Sequence, residues 1–234
     1  MNKLNQKLSI IIPVYNEKKT IKKLLLKVYK LKNLKKEIIV IDDASDDGTK
    51  EILKKNKRYI THLIEHKRNI GKGGAIKSAK KFITGDIIII QDADLEYNPK
   101  DYKKLIKFVK KGYKVVYGSR VLGQNRYLSN KFSSTLRIFY NHMLTILSNI
   151  LNNQNLTDTH TCYKMFTRNV FLKISLKEND FSFCPEITTK IGLKKIKIKE
   201  VPISYMGRDY QDGKKIRFID GIKAIKTLFK YRFF

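Results

Sequence analysis

Three acidic side chains follow directly on the most apolar run of the chain. Asp92, Asp94 and Glu96 come after four consecutive isoleucines (87–90), and Pro99 then prevents further strand pairing. Such a run predicts a strand buried on both faces, in the middle of a parallel sheet. Alternation places Asp92 and Asp94 on one side, where they repel each other unless a cation neutralises them. Oxygen ligands suit Mg²⁺ or Mn²⁺, so the sequence predicts a metal site at this strand end rather than a merely acidic loop.

A second pair of carboxylates follows another apolar run. Residues 37–41 (EIIVI) predict a buried strand, which ends in Asp42 and Asp43. We expect one of these two carboxylates to accept a hydrogen bond from a ligand at the strand end. The alternative is that they cap the following helix, although residues 45–47 could already serve as that cap.

A glycine-rich segment opens a predicted helix further along the chain. Gly71-Lys72-Gly73-Gly74 offers free backbone N–H groups and a cation, which together resemble a phosphate cradle. The segment lacks the spacing of a P-loop and has neither Ser nor Thr after its Lys, so alone it is weak evidence. It gains weight only beside the acidic strand end.

Strands and helices alternate over the first 120 residues. Apolar runs predict strands at 8–13, 37–41, 60–65, 87–90 and 115–117, and helical spacing predicts helices at 18–32, around 52–53 and at 75–82. This alternation predicts an α/β fold with a doubly wound, mostly parallel sheet flanked by helices and joined by right-handed crossovers. Because polar residues follow the strand ends, we expect the functional residues to lie along one rim of the sheet.

The pattern changes after Arg120. Apolar residues recur at helical spacing from Phe132 to Ile150, which fits either a helix facing the core or a helix that docks on lipid or lines a lipid chain. A late strand is predicted at 196–201. Residues 216–234 interleave Ile, Leu and Phe with Lys and Arg, which predicts a basic amphipathic helix at a membrane interface, although a helix packed on the sheet would share much of this pattern.

The charge of the chain is strongly positive and unevenly spread. Its 234 residues carry a formal net charge of +29, from 50 Lys and Arg against 21 Asp and Glu. No zinc-finger cysteine pattern, RNP motif or Gly/Arg tail accompanies this charge, so no nucleic acid is expected as a partner. No acidic residue occurs between Asp101 and Asp158, an interval with ten Lys or Arg, and such a stretch suits an anionic membrane surface.

Cysteine usage and apolar run lengths bear on location. Cys162 and Cys184 make neither a disulfide framework nor a zinc site, which indicates a reducing compartment. The first residues lack the cleavage site of a signal peptide. No run reaches the roughly 18 apolar residues that cross a bilayer. The chain is therefore expected in the cytoplasm, or peripherally on the cytosolic face of a membrane.

Five segments in a fixed order resemble the family 2 glycosyltransferases: IIPVYNE, VIDDASDDGT, RNIGKGGAIKSA, DIIIIQDADLEYNP and VVYGSR. They look most like the branch of dolichol-phosphate mannose and dolichol-phosphate glucose synthases. Segments 158–166, 183–186, 201–208 and 213–215 also match that branch. The resemblance covers nearly the whole chain and implies a single GT-A domain over 1–234. Residues 1–120 would form the nucleotide-sugar half, and 121–234 the acceptor half with interfacial helices.

The resemblance implies a metal-dependent hexosyltransferase that inverts the anomeric carbon, and it assigns the donor side residue by residue. Asp92, Asp94 and Glu96 would surround the divalent cation, Mg²⁺ or Mn²⁺. Many relatives have Gln where this chain has Glu96, which puts the ligand set in doubt. The remaining residues assigned to a UDP- or GDP-linked sugar are Pro13, Tyr15 and Glu17 in the nucleotide pocket, Asp42 at the base, Gly71 and Lys72 nearby, and Arg208 and Lys214 over the diphosphate.

Arg120 is assigned by the resemblance to the acceptor, a polyprenyl (dolichyl or undecaprenyl) phosphate. A polyprenyl phosphate is already anionic at neutral pH, so positioning and charge neutralisation suffice, whereas a sugar hydroxyl needs a base. Arg126, Lys131 and Arg137 could join Arg120 there, with plain surface solvation as the alternative for Arg126 and Lys131. If the acceptor were a glycan hydroxyl, Asp158 would be the best base; otherwise it would orient its neighbours.

The resemblance leaves the alternatives to lipid-phosphate transfer open. The first is extension of a cell-surface glycan at a sugar hydroxyl, on the same fold. The second, less favoured, is a basic module that binds nucleic acid or membranes and carries a degenerate sugar site. The sequence also leaves open whether a membrane-protein partner helps to anchor the chain.

Overall fold

The computed structural model describes residues 6–122, 132–207 and 218–234, with only the helical backbone described for 132–137 and 218. One seven-stranded sheet organises these residues. Its strands are β1 (Leu8–Val14), β2 (Lys36–Asp42), β3 (His62–Glu65), β4 (Ile87–Ile90), β5 (Val115–Ser119), β6 (Lys164–Thr167) and β7 (Ile198–Pro202). Eight α-helices accompany them: α1 (Ile21–Tyr29), α2 (Thr49–Lys55), α3 (Lys72–Ala79), α4 (Tyr102–Lys110), α5 (Phe132–Asn152), α6 (Arg168–Lys173), α7 (Phe183–Leu193) and α8 (Phe218–Phe233).

The strand order is β3-β2-β1-β4-β6-β5-β7. Strands β3, β2, β1 and β4 pair in parallel, as do β5 and β7. Only β6 runs against its neighbours, β4 and β5. The expectation of a mostly parallel α/β sheet is therefore confirmed, and the single antiparallel strand is an addition that the sequence analysis did not foresee.

The apolar strands are buried as their composition requires. All four isoleucines of β4 are at most 1% exposed, and β1 and β2 on the same side of the sheet are buried almost throughout. Buried apolar residues of helices α1, α3 and α4 join the apolar strands in one hydrophobic core. The strands are thereby fixed rigidly, and so are the residues at their carboxyl ends.

The strand predicted at 60–65 begins at His62, and the helix predicted at 18–32 extends only over Ile21–Tyr29. Neither difference changes the position of a predicted site residue. The helix expected at 75–82 begins at Lys72 and ends in a short 3₁₀ turn at Lys80–Phe82. The long helical pattern after Phe132 and the C-terminal helix are both confirmed as helices. In the described part of the chain, none of the helices combines the length and the apolarity that a bilayer crossing requires.

Candidate active site

The carboxyl ends of β2, β1 and β4 lie side by side. Val14 pairs with Asp42 across β1 and β2, and Ile11 pairs with Ile90, two residues before Asp92, across β1 and β4. Because the three strands are parallel, the polar residues that follow them share one edge of the sheet. The predicted rim is therefore present in the structure.

Gln91 fixes the end of β4. Its side-chain Oε1 accepts hydrogen bonds from the hydroxyls of Tyr102 at 2.5 Å and Tyr163 at 2.7 Å. Its Nε2 donates to the backbone carbonyl of Asp92 at 2.8 Å. Gln91 is fully buried, so its amide needs these partners. The network holds the backbone from which the Asp92 side chain extends.

Asp92 forms an ion pair with Lys72, the second residue of the glycine-rich segment. Burial by itself would raise the pKa of Asp92, but the Lys72 ammonium, the Cys162 thiol and the charge of Arg120 lower it. Burial by itself would lower the pKa of Lys72, yet Asp92 raises it. Both side chains are therefore charged at neutral pH, and a cation already stands against the first carboxylate of the acidic strand end.

Asp94 and Glu96 lie in a tight turn beyond Asp92. Leu95 between them adopts a left-handed φ of 65°, and the backbone N–H of Glu96 donates to Asp94 Oδ1 at 3.1 Å. The Glu96 carboxylate accepts a hydrogen bond from the Tyr205 hydroxyl at 2.7 Å. This contact ties the turn to the segment after β7.

The donor atoms at this rim suit a hard cation. Mg²⁺ at phosphate sites commonly uses one or two carboxylates together with substrate phosphates and water, and Asp92 and Asp94 can supply such carboxylates. Over the described residues, no three His, Cys, Asp or Glu side chains are grouped closely enough to hold a metal by themselves. The set of Asp92, Asp94 and Glu96 as ligands stays a prediction, in which Lys72 would have to share Asp92 with the metal.

The Asp43 carboxylate binds the backbone just before α3 and holds it in place. It accepts from the backbone N–H groups of Ile70 at 3.0 Å and Gly71 at 2.8 Å, and His66 Nδ1 lies 2.7 Å from Asp43 Oδ1. The backbone N–H of Gly74 donates to the carbonyl of Asn179 at 2.9 Å. The interpretation of this segment as a cradle of free N–H groups is therefore wrong for Gly71 and Gly74.

The segment 177–182 lies directly on the start of α3. A Cβ atom on Gly73 would stand 2.5 Å from the backbone oxygen of Glu178, and one on Gly71 would stand 2.5 Å from that of Asn179. The Lys72 ammonium lies 5.7 Å from the centre of the Phe181 ring. The glycines are thus needed for close approach of two backbones, and this packing holds Lys72 beside Asp92.

The residues assigned to the nucleotide pocket gather at the ends of β1 and β2. Glu17 is buried, and Pro13 and Tyr15 are half-buried. The backbone N–H of Glu17 donates to the Thr49 hydroxyl at 2.9 Å. Asp42 is 1% exposed and accepts from the Ser45 hydroxyl at 2.5 Å, and burial raises its pKa. The structure brings these residues together, and their contact with a nucleotide stays a prediction.

Arg120 and Asp158 form a buried ion pair at the end of β5. Arg120 Nε donates to Asp158 Oδ2 at 2.7 Å and Nη2 donates to Oδ1 at 2.8 Å. Burial would lower the pKa of Arg120, but Asp158 raises it. The guanidinium also lies 5.1 Å from the centre of the Tyr205 ring. Since Tyr205 donates to Glu96, Arg120 and the acidic turn both contact this one aromatic residue.

Glu200 in β7 supports this pair from behind. Its carboxylate accepts from the backbone N–H groups of Thr157 at 2.7 Å and Asp158 at 3.0 Å. Burial raises the pKa of Glu200 although these bonds favour its charged form. Asp158 therefore has both its side chain and its backbone held in place.

Several predicted residues fall outside the described part of the chain. They are Arg208 and Lys214, assigned to the diphosphate, and Arg126 and Lys131, assigned to the acceptor. The side chain of Arg137 lies outside it as well.

Sequence reasoning missed three residues that build this rim, Gln91, Cys162 and Tyr205, and it missed the partners of a fourth, Asp43. Gln91 gave a usable signal, because an amide that continues a fully buried strand must have buried partners. Asp43 finds its partners 23 to 28 residues away, and Cys162 and Tyr205 reach theirs from other elements. Contacts between residues so far apart in the sequence cannot be predicted from a local pattern.

Comparison with known proteins places the chain in a family. The sequence model described as Glycosyl transferase family 2 matches residues 9–175. An uncharacterised protein of Methanocaldococcus jannaschii is 30% identical over 100% of this chain and 96% of its own length. Dolichyl-phosphate beta-glucosyltransferase ALG5A of Trichomonas vaginalis is 29% identical over 97% of this chain and 73% of its own.

A solved structure with the same fold is glucosyl-3-phosphoglycerate synthase of Mycobacterium tuberculosis. It aligns with a TM-score of 0.74 at 15% identity, over 97% of this chain and 80% of that one. The same enzyme has been solved with Mn²⁺, UDP and glucosyl-3-phosphoglycerate, and that structure aligns with a TM-score of 0.69. The chain therefore belongs to glycosyl transferase family 2, and the expected GT-A architecture is confirmed.

Proposed function

We propose that this protein transfers a hexose from a UDP- or GDP-linked sugar to a polyprenyl phosphate, with inversion at the anomeric carbon. It would do so peripherally on the cytosolic face of a membrane. The observation that carries this proposal is the Arg120–Asp158 pair. Both carboxylate oxygens of Asp158 accept from Arg120, which leaves this aspartate poorly suited to take a proton from an acceptor. An acceptor phosphate needs no such base, because it is ionised at neutral pH.

The acceptor phosphate would lie against Arg120. Two of its guanidinium nitrogens bind Asp158, and the planar group has further N–H donors, since a guanidinium carries five. Arg suits a phosphate because it offers paired, charge-assisted hydrogen bonds. The Asp158 and Glu200 contacts hold the guanidinium in a fixed orientation, which lowers the entropy cost of aligning the attacking oxygen. Asp158 is thus proposed as a positioning residue.

The donor diphosphate would lie at the Asp92–Asp94 turn, with Lys72 beside it. A bound Mg²⁺ or Mn²⁺ would neutralise the charge that develops on the departing nucleotide. Lys72 supplies a second positive charge at the same place, and Asp92 holds it there. The related synthase solved with Mn²⁺ and UDP supports this assignment of donor and metal by analogy of fold. The name of the Trichomonas relative supports the lipid phosphate as acceptor.

A panel of nucleotide sugars tests the proposal. The purified chain would be incubated with each sugar, with Mg²⁺ or Mn²⁺ and with a short-chain polyprenyl phosphate, and labelled sugar would be measured in the organic phase. We expect organic-phase product with at least one donor, its loss with excess EDTA, and its loss in Asp94→Asn with the fold intact. Full turnover of that variant would contradict the proposal. Label found only in alkali-stable, water-soluble glycan would favour a hydroxyl acceptor.

A further inference from the structure

The Phe181 ring lies at the rim of the sheet without belonging to the hydrophobic core. It is half-buried, and the core formed by the described residues does not include it, although Phe183 and Cys184 shortly after it are both core residues. The Lys72 ammonium instead lies over the ring, 5.7 Å from its centre. A large apolar side chain that is placed at a charged site rather than in the core points to an apolar surface of a ligand.

The segment that carries Phe181 is fixed to the protein before and after this residue. Glu186 of α7 is fully buried and accepts from the backbone N–H groups of Lys177 at 2.6 Å and Glu178 at 2.9 Å. The backbone carbonyl of Phe181 accepts from the N–H of Cys184 at 3.1 Å. The ring is therefore preorganised, so a ligand that binds it does not have to order the segment first.

The position of Phe181 favours contact with the hexose of a nucleotide sugar over contact with the base. The residues assigned to the nucleotide lie at the ends of β1 and β2. Phe181 lies two residues before α7, which reaches the other half of the sheet, where the hydroxyls of Tyr117 in β5 and Thr188 in α7 are 3.1 Å apart. In the proposed function the hexose would lie on this side of Asp92, because the acceptor at Arg120 must reach the anomeric carbon.

We propose that the Phe181 ring forms one wall of the hexose subsite and packs against a C–H face of the donor sugar. The proposal deepens the proposed function and rests on it, since it takes a nucleotide sugar as the donor. A hexose carries its hydroxyls around the edge of the ring and C–H groups on its faces, so an aromatic ring can cover a face without leaving a hydroxyl unpaired. Lys72 would bind the adjacent diphosphate.

A different role for the ring would be to shield the Lys72–Asp92 ion pair from water. The two roles differ in the ligands that they affect. A wall of the hexose subsite affects only the nucleotide sugar, because the free nucleoside diphosphate has no hexose. A shield affects both ligands, because both carry the diphosphate that Lys72 would bind. Comparison of the two ligands therefore separates the roles.

Titration calorimetry of the full chain in the presence of Mn²⁺ tests the proposal. The probes are the nucleotide sugar that gives organic-phase product, or UDP-glucose if none does, and the matching free nucleoside diphosphate. We expect Phe181→Ala to weaken binding of the nucleotide sugar about tenfold and to change binding of the diphosphate by less than about twofold. Phe108→Ala, at another half-buried phenylalanine near the end of α4, is the matched control and should change neither affinity.

Two further variants test whether the aromatic ring itself contributes. Phe181→Tyr keeps the ring and should bind the nucleotide sugar within about twofold of the wild type. Phe181→Leu keeps an apolar side chain without a ring, and its affinity should fall between those of the wild type and Phe181→Ala. Because Phe181 lies outside the core, we expect all three variants to keep the melting temperature of the wild type.

Four results would overturn the proposal. They are no binding of the nucleotide sugar by the wild type, unchanged binding of it by Phe181→Ala, equal weakening of both ligands in that variant, and failure of that variant to fold. Equal weakening would make Phe181 a shield of the ion pair, and failure to fold would make it a structural residue. Binding needs no acceptor, so the expected affinities without organic-phase product would reject lipid-phosphate transfer and keep the hexose subsite. Organic-phase product with unchanged affinity in Phe181→Ala would do the reverse.

Discussion

Asp92 and Lys72 come from different elements, the end of β4 and the first turn of α3, and meet in an ion pair at the rim of the sheet. A divalent cation at Asp92 would therefore approach a lysine ammonium. The two cations repel each other, and both favour the same carboxylate. In the proposed function this competition should make metal affinity and diphosphate affinity respond oppositely to the loss of Lys72.

Lys72→Met should tighten Mn²⁺ binding in the absence of nucleotide by at least about fivefold, because one positive charge near the metal is removed. The same variant should raise the KM for the nucleotide sugar, because the diphosphate loses a cation. Titration calorimetry with Mn²⁺ and steady-state kinetics measure the two effects. Lys81→Met, an exposed lysine just beyond α3, is the control. Mn²⁺ binding that weakens in Lys72→Met would refute the shared use of Asp92.

Asp158→Asn should destabilise the protein by about 3–5 kcal/mol, because the buried guanidinium of Arg120 would lose its counter-ion and face an amide N–H₂ group. Urea unfolding of the variant against Glu51→Gln, an exposed carboxylate on α2, measures this loss. Transfer to polyprenyl phosphate should fall as well, through loss of orientation of Arg120.

The pH dependence of transfer separates a positioning Asp158 from a catalytic base. If Asp158 positions Arg120, residual activity of Asp158→Asn should keep the shape of the wild-type pH profile. Disappearance of an acidic limb from that profile would instead identify Asp158 as a base.

Gly73→Ala and Gly221→Ala form a matched pair of helical substitutions. A Cβ at Gly73 meets the Glu178 backbone oxygen at 2.5 Å and Phe183 Cβ at 2.9 Å, whereas a Cβ at Gly221 meets nothing within 4 Å. We expect Gly73→Ala to destabilise by about 1–3 kcal/mol and to lower transfer. Gly221→Ala should stabilise by about 0.5–1 kcal/mol. Thermal unfolding of both variants checks this, and equal effects would contradict the close packing of segment 177–182 on α3.

Glu37 provides a pH-dependent test of the sheet. It is 1% exposed and accepts hydrogen bonds from Lys7 and Ser9, each at 2.5 Å, and from Thr84 N–H at 2.8 Å. Burial would raise the pKa of Glu37, but these bonds lower it from 4.5 to about 2. A carboxyl group whose pKa is lower in the folded state stabilises the protein at pH values above its pKa in the unfolded chain. That contribution is lost as the pH falls through the pKa of the group in the folded state.

Glu37→Gln should therefore be less stable than the wild type by about 3 kcal/mol near neutral pH. The difference should shrink as the pH falls from about 4.5 towards about 2. Denaturant unfolding of both proteins across that range measures it. A difference that stays constant with pH would show that the charge of Glu37 does not contribute.

Much of the fold of the first 120 residues could be predicted because β1, β2 and β4 are buried almost throughout. Runs such as 37–41 and 87–90 are apolar without interruption, and no other structure accommodates several of them in one small domain. The polar residues after them then had to share one rim. Strand β6 escaped prediction because Lys164–Thr167 is short and starts with a buried lysine, whose ammonium donates to the carbonyls of Thr159 and Thr161.

The pairing of charges at the rim could not be read from the sequence. Lys72 and Asp92 are 20 positions apart and Arg120 and Asp158 are 38 apart, so only the strand order brings them together. The sequence also did not show which side of α5 faces the protein, because helical periodicity separates the two sides of a helix without orienting them. That choice depends on polar partners such as Thr159, which binds Thr145 at 3.1 Å.

The antiparallel strand has one further consequence. Because β6 runs against β4 and β5, the chain enters it at the edge where its neighbours leave the sheet. The five residues from Asp158 to Cys162 therefore form a short bridge, with Asp158 bound to Arg120 at one end and the Cys162 thiol donating to the carbonyl of Ile90, two residues before Asp92, at the other. In the proposed function the length of this bridge would set the gap between sugar donor and acceptor, so we expect that inserting or deleting one residue there alters which acceptors are used.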